Sequence, residues 1–121
     1  MKEYDLGKEG EQKARMILKG MGFEVQCPDW IALKDDKWTC FEIKSKERFL
    51  APPFDGHGLD KRQIYLRNRL LEGTGIRTYL LIFEVGTNLV FGEYLDILES
   101  KEKFNTLNNI TIYPLANFQC L

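Results

Sequence analysis

Residues 27–46 read C-P-D-W-I-A-L-K-D-D-K-W-T-C-F-E-I-K-S-K, and this stretch decides the fold. Two apolar runs flank a charged turn at residues 34–37, a pattern that predicts an antiparallel hairpin. Three ionisable residues interrupt the apolar runs: Asp29 in the first run, and Glu42 and Lys44 in the second. A charge inside an apolar strand is costly unless it is paired or binds a metal, so these residues indicate a functional site.

The register of the hairpin brings these three charges together. A turn centred between Asp35 and Asp36 sets Asp29 directly opposite Glu42, and side chains opposed in this way share a face of the sheet. Lys44 lies two residues after Glu42 and therefore on the same face. The same register predicts the pairs Leu33–Trp38 and Ile31–Cys40, with Trp30, Ala32, Phe41 and Ile43 on the other face. Because both faces are otherwise apolar, we expect the sheet to be covered on both sides.

Periodicity and turn residues predict the other elements. Apolar residues recur at helical spacing within residues 7–21 and 61–72, whereas residues 77–85 form a continuous apolar run typical of a buried central strand. Further strands are expected at residues 23–26, 89–94 and 110–113, and a short helix around residues 95–103. Residues 49–59 contain two prolines and two glycines, which predicts an irregular loop that contacts substrate or moves. These elements predict one α/β domain over residues 1–121, with a mixed sheet and flanking helices.

Composition and charge narrow the classes of function. The 121 residues are 44% apolar and 29% charged, as in globular domains. No apolar run approaches the ~20 residues that span a bilayer, and no signal-peptide core is present, so no membrane association is expected. The three cysteines, Cys27, Cys40 and Cys120, lack the spacing of a zinc site, so reduced thiols and a cytoplasmic location are expected.

The distribution of charge is more informative than its sum. The net charge of −1 disfavours non-specific binding to nucleic acid. However, residues 44–77 carry twice as many basic as acidic side chains. This local charge is compatible with a polyanionic substrate, and equally with a solvated helix face.

The residue types at the hairpin are those that metal-dependent phosphodiester hydrolysis requires. Two carboxylates a few ångströms apart, here Asp29 and Glu42, bind Mg²⁺ or Mn²⁺ through oxygen, and such an ion polarises a phosphate and activates water. Lys44 is placed to orient that water or to stabilise the transition state. In the first predicted helix, Glu11 projects on the rim of the apolar stripe, which makes it a candidate outer ligand or ligand of a second metal. The alternative is a glutamate that faces solvent or caps the helix. The alternative for a single E-x-K strand is a structural ion pair between Lys44 and either carboxylate.

The order Pro28-Asp29, then twelve residues, then Glu42-Ile43-Lys44 resembles the PD-(D/E)xK nuclease superfamily. Within it, the chain is most similar to the small Holliday-junction-resolvase-like members and to phage nucleases of the recombination type. Three further features carry this likeness: the G-x-x-x-E pattern from Gly7 to Glu11, the G-F step at Gly22-Phe23, and Gln63 near the start of the second helix. The likeness extends over residues 7–85, and the P-P-F-D-G-H-G segment departs from it.

This resemblance implies a restriction-endonuclease-like core in the order α-β-β-β-α-β and a Mg²⁺-dependent, homodimeric DNA endonuclease, with Mn²⁺ able to substitute. It also implies that the backbone carbonyl of Ile43 is a third metal ligand and that Gln63 contacts the lysine, the water or a phosphate. The residues expected to contact nucleic acid are Lys46, Lys61, Arg62, Arg67 and His57. Two alternatives stay open: a non-catalytic module of this fold that binds nucleic acid or protein, and a nuclease for RNA or single strands.

Overall fold

The computed structural model describes Met16, Ile17, and residues 20–22, 24–25, 31–50 and 52–121. Glu11 and Asp29 lie outside these residues, as do Pro28 and Trp30, so what was predicted for them stays a prediction. Within the described part, the structure has nine strands, two α-helices described over their full length, the end of an earlier helix, and one turn of 3₁₀-helix.

The first helix ends where the glycines predict. Met16, Ile17 and Gly20 are helical, and the backbone N–H of Met21 donates to the carbonyl of Ile17 at 3.0 Å. Gly22 follows with a φ of 91°, a left-handed conformation that glycine adopts without a steric penalty. The chain then enters strand β1, Glu24–Val25.

The predicted hairpin is confirmed, and so is its register where residues are described. Strand β2 (Ile31–Lys34) pairs antiparallel with strand β3 (Lys37–Lys46), with Ile31 opposite Cys40 and Leu33 opposite Trp38. The two turn residues, Asp35 and Asp36, have φ of 51° and 60°. Positive φ at both central residues is the geometry of the two-residue turn whose twist suits a hairpin, and aspartate tolerates it better than most residues.

The central sheet is mixed and has six strands in the order β1-β2-β3-β5-β6-β9. Its later strands are β5 (Arg77–Glu84), β6 (Val90–Tyr94) and β9 (Gln119–Cys120). β3 and β5 are parallel, and the register sets Glu42 beside Leu80 and Lys44 beside Ile82. Every other pairing in this sheet is antiparallel, so the sheet matches the predicted mixed architecture.

A second sheet of three strands overturns the prediction of irregular structure for residues 56–59, whereas residues 49, 50 and 52–55 contain no helix and no named strand, as predicted. It has the order β4-β8-β7, with β4 at Gly56–Asp60, β7 at Phe104–Asn105 and β8 at Ile110–Pro114. The glycines of β4 permit close approach rather than a loop: a Cβ on Gly56 would overlap the carbonyl of Tyr113 in β8. The strand was missed because its partner lies far away in the sequence and its own residues do not alternate.

Two helices cover the sheet. Helix α1, Lys61–Thr74, starts at Asp60, whose side chain accepts a hydrogen bond of 2.8 Å from the N–H of Arg62. It ends at Gly75, with a φ of 76°. Helix α2, Leu95–Ser100, is shorter than predicted, and the 3₁₀ turn is Leu115–Asn117. Among the described helices, none is both long and apolar enough to cross a bilayer.

Two apolar clusters fill the two faces of the central sheet, as expected. One cluster lies under α1, α2 and the second sheet and contains Leu59, Ile64, Leu80, Ile82, Phe91, Leu95, Leu98, Tyr113 and Phe118. The other contains Ala32, Phe41, Tyr79 and Leu81, with Met21, Ile43, Phe83, Val90 and Tyr94 packed against it. Ala32, Phe41 and Ile43 therefore share a face, as the hairpin register predicts.

Candidate active site

Glu42 and Lys44 lie on the face of β3 that α1 covers. Their register partners in β5, Leu80 and Ile82, belong to the same apolar cluster as Ile64 of α1. Alternation along β3 sends Glu42 and Lys44 to that face and Phe41 and Ile43 to the other. The two polar side chains are therefore embedded at the margin of a core, which is where the sequence placed them.

Arg67 of α1 is the closest ionic partner of Glu42. Its Nε and Nη2 atoms both lie 2.6 Å from Oε1 of Glu42, whereas Lys44 Nζ is 3.9 Å from Oε2. The Glu42 side chain is only 10% exposed, against 34% for Arg67 and 32% for Lys44. A carboxylate so far removed from water requires a charge partner, and α1 supplies it across the layers.

This contact gives Arg67 a role that the sequence interpretation missed. Arg67 was grouped with the residues expected to contact nucleic acid, but its guanidinium points at the strand face. Gln63 and Arg67 are four residues apart, so they share a helix face, and Ile64 lies beside them in the core. That spacing was the available signal, because a residue four positions from an inward-facing glutamine also faces inward.

Gln63 is half-buried one helical turn before Arg67. The helix therefore presents an amide and a guanidinium in succession along the line that faces β3. Lys61 and Arg62, at the start of α1, are exposed to solvent, as a contact with nucleic acid would require.

Lys46 continues the line of Glu42 and Lys44 along β3 but is engaged elsewhere. Its Nζ donates to the carbonyl of Gly58 in β4 at 2.6 Å and lies 5.4 Å from the centre of the Phe49 ring. Burial lowers the pKa of Lys46, and the positive charge of Lys44 lowers it further. Lys46 thus joins β3 to the second sheet.

His57 corrects the prediction of a loop histidine that touches substrate. It lies in β4, is 0% exposed, and its Nε2 is 2.6 Å from Oε2 of the equally buried Glu84. The rings of Phe91 and Phe118 pack around it. A side chain enclosed in this way does not reach a nucleic acid, so His57 leaves the set proposed to bind one.

Glu84 is the centre of a polar network that the sequence did not reveal. Arg48 donates from Nε and Nη2 to its two carboxylate oxygens at 3.2 and 3.0 Å, and Thr87 Oγ1 donates to Oε1 at 2.8 Å. Burial alone would raise the pKa of Glu84, but the hydrogen bonds from Arg48, Thr87 and His57 hold it below its usual value. The network ties the ends of β3 and β5 to β4.

The two described cysteines, Cys40 and Cys120, give no sign of catalysis. Cys40 is buried next to Glu42 in β3, and burial raises the pKa of its thiol, an effect that nearby Arg67 only partly opposes. Cys40 and Cys120 are both free thiols. A thiol held protonated in this way is inert packing.

The described half of the predicted metal site supplies oxygen donors, the type of ligand that a hard divalent cation prefers. Two of the predicted ligands, Glu42 and the carbonyl of Ile43, are described, and Asp29 and Glu11 are not. Among the described residues, no three His, Cys, Asp or Glu side chains cluster closely enough to hold a metal ion. Oε2 of Glu42 makes no hydrogen bond to Lys44, whose Nζ lies 3.9 Å away. The other cation that faces the carboxylate, Arg67, contacts Oε1. The donor type therefore suits a hard divalent cation, but the Glu42 carboxylate is already paired with Arg67.

The fold has a counterpart of known structure. The chain is similar to Hjc, a Holliday junction resolvase from the archaeal hyperthermophile Archaeoglobus fulgidus, with a TM-score of 0.55. The match covers 88% of this chain and 87% of the resolvase, at 15% sequence identity. No protein-family model matches the chain, and no curated protein is similar to it in sequence. The structural match confirms the predicted fold class, a mixed sheet flanked by helices, which the chain shares with this resolvase.

Proposed function

We propose that this chain is a divalent-metal-dependent endonuclease that hydrolyses phosphodiester bonds in DNA, acting as a homodimer on branched substrates of the Holliday-junction kind. The observation that carries the proposal is the pairing of Glu42 with Lys44 on one strand face, beneath a helix that presents Gln63 and Arg67. The shared fold with a resolvase supports it.

Four groups would hold the cation: the carboxylates of Asp29 and Glu42, the carbonyl of Ile43, and Glu11 as an outer or second-metal ligand. Bound Mg²⁺ or Mn²⁺ supplies a Lewis acid that offsets phosphate charge and lowers the pKa of a coordinated water. Within the chain, β3 fixes the spacing of Glu42 and Lys44, and the layer above them restricts access by water.

Lys44 and Gln63 complete the chemistry. The ammonium of Lys44 has three N–H donors and is about one-third exposed, so a phosphate or an attacking water can reach it. A cation beside the scissile phosphate stabilises the negative charge that develops in the transition state. The Gln63 amide would orient Lys44, the water or a phosphate oxygen from the facing helix.

Lys61, Arg62 and Lys46 are the basic residues proposed to guide DNA. Lys61 and Arg62 are exposed at the start of α1, where phosphate oxygens have access to both side chains. Lys46 is half-buried and hydrogen-bonded to Gly58, so it would attract DNA through long-range charge rather than contact a phosphate directly.

The test is cleavage of a panel of junction, flap, plasmid and single-stranded DNA, together with RNA, by purified protein. Mg²⁺ or Mn²⁺ is expected to support cutting, EDTA to abolish it, and Glu42→Gln to be inactive. Preference for a four-way junction over a linear duplex would support the resolvase-like specificity. Failure to cut any DNA at any concentration of either metal would contradict the enzyme, and cutting of RNA alone would change its substrate.

A non-catalytic binding module is the second candidate, and the Arg67–Glu42 ion pair is the observation that favours it. An arginine that saturates the central carboxylate is compatible with a purely structural pair. Junction binding that is equally tight with and without metal, combined with no cleavage, would support this alternative.

A further inference from the structure

The two cations beside Glu42 stand in unequal positions. Arg67 makes two contacts of 2.6 Å to Oε1, whereas Lys44 remains 3.9 Å from Oε2. Lys44 is on the same strand as Glu42, but Arg67 comes from the helix layer. The dominant neutralising charge at the proposed metal ligand is therefore a side chain that belongs to another element.

This arrangement conflicts with a bound divalent cation. A doubly charged ion at Glu42 would lie within a few ångströms of the guanidinium, in a site with little water to screen the repulsion. The metal ion and the guanidinium would therefore compete for the same carboxylate. The guanidinium of Arg67 and a divalent metal ion are thus alternative partners of Glu42, and either one neutralises the carboxylate when the other is absent.

We propose that Arg67 is a resident counter-cation that leaves Glu42 when a divalent cation binds, so that metal loading releases a guanidinium for a phosphate of the nucleic acid. The inference rests on the proposed function, because it takes Glu42 as a metal ligand. Arg67 is a positioning residue in this scheme. It keeps a buried carboxylate paired in the metal-free protein, and once displaced it binds DNA.

The geometry allows the displacement. The Arg67 side chain is one-third exposed, so it has a route to solvent, whereas Glu42 is held by the strand. An arginine fork matches two phosphate oxygens as well as it matches a carboxylate. Because Arg67 follows Gln63 by one helical turn, its released head stays on the side of α1 that faces the site.

The first test measures the affinity for Mn²⁺ alone, by titration calorimetry or electron paramagnetic resonance. Arg67→Gln is expected to bind Mn²⁺ about tenfold more tightly than the wild type, a factor within the usual range for coupled sites. Arg69→Gln, an exposed arginine of the same helix, is the matched control and should stay within about twofold. Unchanged or weaker binding by Arg67→Gln would overturn the proposal.

The second test uses thermal unfolding as a readout independent of activity. Without metal, Arg67→Gln should unfold at a lower temperature than the wild type, because the buried Glu42 carboxylate loses its main partner. Addition of Mn²⁺ should raise the unfolding temperature of Arg67→Gln by more than that of the wild type. An equal rise in both proteins would mean that arginine and metal do not compete, and would overturn the proposal.

The third test follows DNA binding with and without Ca²⁺, which prefers oxygen ligands as Mg²⁺ does. Arg67→Gln should weaken junction binding in the presence of Ca²⁺ and leave metal-free binding unchanged, because only the metal frees the arginine. An equal loss in both conditions would make Arg67 a constant phosphate contact and would overturn the coupling.

Failure of this inference and failure of the proposed function give different results. If Glu42→Gln leaves the affinity of the protein for Mn²⁺ unchanged, Glu42 is not a metal ligand and both proposals fall. If Glu42→Gln abolishes Mn²⁺ binding but Arg67→Gln does not tighten it, the metal site stands and the displacement alone is overturned.

Discussion

Lys46 and Glu84 are direct partners in the parallel register of β3 and β5, and both side chains hold β4. Lys46 donates to the carbonyl of Gly58, and Glu84 bonds the ring of His57, each at 2.6 Å. Because His57 and Gly58 are consecutive, the ends of β3 and β5 hydrogen-bond to adjacent residues of β4. β4 ends at Asp60, where α1 begins, so these two hydrogen bonds also fix the start of the helix that faces the site.

Loss of the Glu84 charge should be strongly destabilising. Glu84→Gln is expected to lower the free energy of unfolding by about 3 kcal/mol, because it removes one partner of a buried ionic network. Urea unfolding followed by circular dichroism measures the change. Glu102→Gln, at an exposed position, is the control and should stay within about 0.5 kcal/mol of the wild type. A Glu84→Gln protein as stable as that control would contradict the structural role of the network.

The same network predicts that acid destabilises the protein in two stages. Burial lowers the pKa of His57, the hydrogen bond to Glu84 offsets only part of this, and the charges of Lys46 and Arg48 lower it further. The unfolded chain therefore takes up this proton first, so stability is complete above about pH 6.5 and declines below it. The depressed pKa of Glu84 adds stability above about pH 4.3 that is lost as the pH falls through its folded value.

His57→Gln tests the first stage, because glutamine retains an N–H donor for Glu84 but does not titrate. The free energy of unfolding of the wild type should decline between pH 7 and pH 5, and that of His57→Gln should decline less. Urea titrations across this range provide the measurement. Parallel curves for the two proteins would show that His57 does not contribute to the pH dependence.

Lys44 and Lys46 should separate catalysis from stability. Lys44→Met is expected to reduce cleavage by about 100-fold or more while changing the free energy of unfolding by less than about 1 kcal/mol, because Lys44 is partly exposed and only loosely paired. Lys46→Met should cost about 2 kcal/mol through the lost bond to Gly58. Cleavage rates and urea unfolding of both variants decide this. A Lys44→Met protein that cuts normally would exclude the lysine from the mechanism.

The close approach of β4 and β8 within the second sheet makes Gly56 intolerant of a side chain. Gly56→Ala would force a Cβ into the carbonyl of Tyr113, and we expect a loss of about 2 kcal/mol or more in the free energy of unfolding. Gly73→Ala is the matched control, since nothing lies within 4 Å of its Cβ and alanine is the better helix former. Gly73→Ala should be neutral or stabilising. Equal behaviour of the two variants in thermal unfolding would contradict the close approach of β4 and β8.

The exposed start of α1 should govern electrostatic binding of DNA. Arg62→Glu is expected to weaken junction binding and to reduce the slope of log affinity against log salt by about one. Lys101→Glu, an equal charge change at an exposed position beyond α2, controls for net charge. An unchanged salt slope for Arg62→Glu would remove the start of α1 from the interface.

Sequence patterns correctly predicted the elements that depend on residues close together in the chain. The hairpin and its register followed from the Asp-Asp turn and the alternation on either side of it. The buried strand β5 and helix α1 followed from an apolar run and from glycines at the helix end. The face shared by Glu42 and Lys44 needed only the two-residue repeat of a strand. Each of these features depends on neighbours in the sequence.

The missed features depend on residues far apart in the chain. β4 is a strand because it pairs with β8. Its glycines allow that close pairing, but in the sequence alone they predicted a loop. His57 was assigned to the surface for the same reason, although Glu84 and two phenylalanine rings enclose it. Arg67 was counted as one of several cations on a basic helix; its spacing from Gln63 indicates that it faces inward, but its pairing with Glu42 depends on how α1 packs on β3.

The pairing of β4 with β8 sets an order of events during biosynthesis. The ribosome synthesises β3, β4 and α1 before it reaches residues 110–114, which form β8. β4 therefore cannot pair with β8 until most of the second half of the chain has been made. The backbone N–H of Lys61 also bonds the carbonyl of Asn109. A product truncated before β8 would keep Glu42, Lys44 and Gln63 yet lack the anchor of their helix. The motif-poor last third of the chain therefore anchors the helix that faces Glu42 and Lys44.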